Sequence, residues 1–173
     1  VISYTQERQI HTIDVWVFEH NVPINRPHQV SYIHLDNLSF DGQREIAMEI
    51  TDDFANLPQK PNVDIYVVAN KESAGLSLDK NSTLDQLKVA CIGTSSFGLS
   101  QPVSSESFPP TGLPMSGLLE NQIVSGIPPV YTAKQNNVKL VRAVSKMRFV
   151  FSKSSSNPPV ISDLSVSLNA NML

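Results

Sequence analysis

The segment Ile13-Asp-Val-Trp-Val-Phe18 constrains the fold more than any other stretch of the chain. Ile13, Val15 and Val17 alternate with Trp16 and Phe18, so a strand here carries apolar side chains on both faces. Such a strand belongs in the middle of a sheet, covered above and below. Prolines 23 and 27 end it, because each removes a backbone donor and restricts the residue before it.

The rest of the chain repeats this vocabulary. Residues 62–69 form a second strong strand pattern, bounded by Pro61 and Asn70, and carry a second group of core residues. Residues 31–38 and 44–50 read as two strands joined at Asp41-Gly42, a tight-turn signal that predicts a hairpin. In the later of the two, Ile46, Met48 and Ile50 alternate with polar neighbours, so one side is wet. One helix is predicted: Thr83 caps the free amides while Gln86 reaches back, with Leu84, Leu87 and Cys91 behind, over about two turns. Residues 93–112 are rich in Ser, Gly and Pro and read as a loop, followed by a brief hairpin over 113–117 and 122–125.

A basic strand over 138–151 comes next. Parity places Val141, Ala143, Met147, Phe149 and Phe151 on the core face, and Leu140, Arg142, Val144, Lys146, Arg148 and Val150 on the other. Leu140, Val141, Val144 and Met147 also stand at helical spacing, but the run Met-Arg-Phe-Val-Phe and the Ser/Asn/Pro cluster after it favour extended structure. A last strand spans 160–168. About seven strands and one short helix predict a mainly β, two-sheet sandwich.

A length of 173 residues fits one domain able to bury roughly 70% of its unfolded surface. We expect an N-terminal arm over 1–10, the sandwich over 11–168, and at 169–173 the start of a linker to a further domain outside this chain. Because the chain opens on Val1 rather than Met, an upstream segment is expected to have been removed. The single cysteine, Cys91, has no partner in the chain and is expected to be a buried structural thiol.

Charge narrows function. A net charge of −3 gives no bulk attraction to nucleic acid. Arg142, Lys146 and Arg148 cluster on one strand face, either as an anion or partner patch or as a solvated face whose long stems cover apolar neighbours. No aromatic residue interleaves with them on their own face, so a stacking platform for single strands is not supported. His11, His20, His28 and His34 lie near Asp14, Glu19 and Asp36, yet their spacing matches no metal motif. The chain has no Gly-x-Ser-x-Gly elbow, and Gly93-Thr-Ser-Ser-Phe-Gly98 lacks the lysine of a phosphate loop. No catalytic residue, metal ligand or cofactor site is therefore assigned.

Four stretches in order resemble the N-terminal domain of the fimbrillin subunits of Bacteroidales pili: Ile13-Asp-Val-Trp-Val-Phe18; Ile65-Tyr-Val-Val-Ala-Asn70 followed by the leucine-spaced helix from Thr83; Leu113-Pro-Met-Ser-Gly117; and Val138-Lys-Leu-Val-Arg-Ala-Val-Ser-Lys-Met147. The resemblance spans nearly the whole chain. It implies a transthyretin-like β-sandwich in a secreted lipoprotein, anchored to the outer membrane through a lipid upstream of this chain. It further implies a structural or tip subunit of a surface fimbria, one that supports adhesion to host or bacterial surfaces. Partner subunits would join by donor-strand insertion once an arginine-directed protease trims the N-terminus, and Arg8 is the nearest position for that cut. The leading lipobox cysteine and the second domain of the family are not in this sequence. A different class of function fits the same fold: a surface module that binds carbohydrate or protein through residues 95–110 and 20–34 without polymerising. Those loops offer only Phe97, Phe108 and Tyr32 for stacking on a sugar.

Overall fold

The computed structural model describes residues 4–21, 29–40, 42–92, 109–127, 130–133, 135 and 137–143. Among them are seven strands in two antiparallel sheets, β1 (Ile13–Glu19), β2 (Gln29–Leu35), β3 (Val63–Ala69), β4 (Met115–Gln122), β5 (Val124–Ile127), β6 (Val130–Ala133) and β7 (Val141–Arg142). The helices are short: α1 (Tyr4–Arg8), α2 (Asp52–Ala55), α3 (Leu84–Ile92) and a 3₁₀ turn, Lys71–Ala74. The larger sheet has the order β2-β1-β3-β4-β7, and β5 pairs with β6 as a separate two-stranded sheet. The architecture is mainly β and accords with a sandwich whose two sheets are not closed on each other among the described residues.

The two-faced pattern of the opening segment places β1 inside the sheet, between β2 and β3, with Trp16 opposite Tyr32 on one side and Tyr66 on the other. Ile13 and Val15 join Val67, Ala69 and Met115 in one apolar layer, closed over by Leu38, Phe40, Ile46, Met48, Val138 and Leu140. On the opposite face Trp16, Phe18, Tyr66 and Val68 pack under Leu78 and Leu87. The Trp16 and Tyr66 side chains are fully buried. A ring of that size removes roughly 150–250 Å² from water, a gross gain on the order of 4–6 kcal/mol before ordering entropy is subtracted. The indole does not waste its polar edge, since Nε1–H donates to the Asp79 carbonyl at 2.8 Å.

The capping box forms as expected: Thr83 N–H donates to Gln86 Oε1 at 2.8 Å, and Gln86 N–H to Thr83 Oγ1 at 3.3 Å. It starts α3, whose Leu84 and Leu87 close the aromatic face. Elsewhere the expectations need correction. Among the described residues three helices and the 3₁₀ turn stand where one helix is predicted, because α1 and α2 are too short to show a period in sequence. Residues 43–50 are not a named strand. Ile46 and Met48 do turn toward the first apolar layer and Ile50 toward a third cluster with Phe54, but the backbone bonds differ from a ladder. Here Ser31 Oγ donates to the Glu49 carbonyl, and Thr51 N–H to the Val30 carbonyl at 2.9 Å.

The expected hairpin over 113–125 is replaced as well. Residues 115–122 make one strand, β4, paired along β3, and the hairpin is β5–β6. Asn121 takes a left-handed φ of 56° at the end of β4, where the chain turns out of the sheet. The parity of the basic strand is reversed at its start: Val138 and Leu140 pack on the core, whereas Val141 is 61% exposed. The cause is Gly117 on β4. A side chain there would stand 2.6 Å from Val138 Cγ1 and 2.7 Å from the Lys139 carbonyl, so its absence lets residues 138–140 cross close over the sheet. Residues 144–173, including Lys146, Arg148 and the predicted strand at 160–168, lie outside the described residues.

Candidate functional site

The N-terminal strap is the first candidate. Arg8 is the last residue of α1 and is exposed. The residue before it, Glu7, is buried, and its carboxylate meets Arg142 on β7 at 2.9 Å. Ile10 then enters the first apolar layer and bridges to Phe40, its N–H donating to the Phe40 carbonyl at 2.9 Å. Of the three basic residues read as a patch, Arg142 is the one described, and it serves this clip.

A single side chain at the end of β3 holds the strap where it runs into β1. Asn70 is fully buried with a left-handed φ of 54°, a conformation that asparagine tolerates better than most residues. Its Oδ1 accepts from His11 N–H at 2.8 Å and Thr12 N–H at 3.3 Å; its Nδ2 donates to the Gln9 carbonyl at 3.0 Å and the Leu113 carbonyl at 2.8 Å. Strap, strand and the approach to β4 are thus tied at one point. Gly112 is shaped to it: φ is +82°, and an added Cβ would lie 2.5 Å from Asn70 Nδ2.

The second candidate surrounds Asp14 on β1, whose side chain is completely buried. Three donors converge on Oδ1: Tyr32 Oη at 2.8 Å, His34 Nδ1 at 3.0 Å and Lys71 Nζ at 2.8 Å. Oδ2 has no hydrogen-bond partner. Burial, and next the hydrogen bond to Asp14, push the Tyr32 hydroxyl far above the ordinary phenol range, so it remains a donor. The tilted Trp16–Tyr32 ring pair, centroids 5.4 Å apart, walls this site.

The histidines do not converge. His34 faces Asp14, whereas His20 Nδ1 lies 2.7 Å from Asp64 Oδ1, which also accepts the Asn121 N–H at 2.8 Å. Among the described residues no group of three or more His, Cys, Asp or Glu is placed to hold a metal ion. His28, most of the proposed binding loops (residues 22–28 and 93–108) and the Cys91 side chain lie outside the described residues. Beside β2 an open cleft of about 400 Å³ is lined by Gln29, Ser31, Tyr32, Glu49, Ile50 and Thr51.

Sequence reasoning missed Glu7, Asn70, Lys71 and the role of Tyr32. One signal was present: an Asn-Lys pair directly after a strong strand, where a left-handed residue ends the ladder. Comparison of the chain with family models, with curated proteins and with solved structures gives no match.

Proposed function

We propose that the chain is a structural or tip subunit of a cell-surface fimbria, built on a transthyretin-like sandwich and assembling by strand exchange. One observation carries this reading: exposed Arg8 closes a short helix whose buried Glu7 is tied to the sheet through an ion pair with Arg142, while the Asn70 clamp holds Gln9, His11 and Thr12 on the far side of the cut. An arginine-directed cut after Arg8 removes α1 and the Glu7 ion pair together. The sheet keeps its own ladders, and a strand from a neighbouring subunit then adds backbone bonds at the edge that α1 leaves. Location at the outer membrane and a lipid anchor upstream of this chain belong to the same proposal.

The test is to trim purified chain at Arg8 and follow its size. A ladder of assemblies that survives mild denaturant supports the proposal; trimmed chain that stays monomeric at high concentration contradicts it. The alternative, a non-polymerising carbohydrate- or protein-binding module, draws support from the cleft beside β2, where Gln29, Glu49 and Tyr32 offer polar groups and a ring. Saccharide binding by untrimmed monomer, lost in Glu49→Ala, would favour it.

A further inference from the structure

The Asp14 site is poorly explained as an ion pair. A carboxylate taken wholly out of water needs all its lone pairs met, and here one oxygen receives three donors while the other receives none. Lys71, with 12% of its side chain exposed, points its Nζ both at Asp14 Oδ1, 2.8 Å away, and at the Leu78 carbonyl, 2.6 Å away. We propose that Lys71 and Asp14 are joined by an intramolecular isopeptide bond.

An amide at this place satisfies every polar atom that the ion pair does not. Oδ1 becomes the amide oxygen and keeps the Tyr32 hydroxyl and His34 Nδ1–H as donors. Nζ becomes the amide nitrogen, and its one remaining proton is already aimed at the Leu78 carbonyl. Oδ2, the atom without a partner, is the atom that leaves. In the step, Nζ attacks Cγ of Asp14 and forms the C–N bond while the C–Oδ2 bond breaks. Nζ gives up two protons and Oδ2 departs with both as water, so an ammonium and a carboxylate become a neutral amide and no co-reactant is needed. Tyr32 and His34 hold the negative charge that develops on Oδ1, the arrangement of an oxyanion hole. The fixed approach of amine to carboxyl replaces a bimolecular encounter, and a site walled by Trp16 and Tyr32 favours the uncharged product. The bond links β1 to the 3₁₀ turn after β3, and the inference holds equally for a fibre subunit and for a binding module.

Intact-mass spectrometry of the purified full chain tests it. The mass is expected to fall short of the sequence mass by one water, and a digest is expected to contain a branched peptide joining the Asp14 and Lys71 segments. Lys71→Arg keeps the charge but cannot form the amide, so its mass should equal that of its own sequence. Wild-type chain that melts cooperatively at full sequence mass overturns the proposal, as does a water loss that persists in Lys71→Arg. Should Lys71→Arg fail to fold, the branched peptide from the wild type decides alone: its presence supports the bond and its absence overturns it.

Discussion

The strap at residues 4–11 and the strand β1 directly after it are adjacent in the chain but held by opposite means. β1 is bonded along both edges, and its alternating side chains fill two apolar layers with Trp16 at full burial. The strap contributes Ile10 to the core and a backbone bridge from Ile10 and His11 to residues 38–40, and its polar contacts include the Glu7–Arg142 pair, Asn70, and Gln9 Nε2 donating to Ser39 Oγ at 2.9 Å. Apolar burial is diffuse and fails cooperatively, whereas a few hydrogen bonds at one end can open without melting the sheet. The difference makes the strap the region expected to open before the sheet does.

Breaking the two regions separately should expose that contrast. Trp16→Ala leaves a cavity on the aromatic face and orphans the Asp79 carbonyl, and should cost about 3–5 kcal/mol in urea unfolding. Asn70→Ala strips partners from two amides and two carbonyls; we expect a loss of about 3 kcal/mol, with faster exchange at the His11 and Thr12 amides before the rest of the chain responds. Gly112→Ala combines a left-handed backbone with a clash on Asn70, and should cost about 2 kcal/mol by the same denaturation assay. Glu7→Gln sits at the small end. Arg142 is partly exposed and its charge screened, so about 1 kcal/mol or less is expected in global stability. Limited proteolysis should nevertheless cut faster at Arg8, because the helix that holds it loses its clip.

What was legible in the sequence was local. The two-faced alternation of β1, the strand before Asn70 and the Thr83–Gln86 capping box each depend on neighbours within a few residues, and all three stand in the structure. What was hidden depends on distance along the chain. Asn70 bonds residues 43 to 61 positions away, and Glu7 finds Arg142 across 135 positions. Parity misplaced Val141 because it assumes an unbroken ladder from residue 138, whereas residues 138–140 cross over Gly117 and pairing with β4 begins only at Val141. Asp14, in a strand chosen for its apolar pattern, looked like an ordinary acid in the sequence; its burial results from Tyr32 on β2 and Lys71 beyond β3 closing over it.

Native-state hydrogen exchange on the full chain tests the separability of the strap most directly. The Ile10 and His11 amides, bonded to the Phe40 carbonyl and Asn70 Oδ1, should exchange through an opening several kcal/mol cheaper than the one that exposes the Trp16 and Tyr66 amides. Equal protection across strap and sheet would show that the two unfold as one unit and would contradict the account.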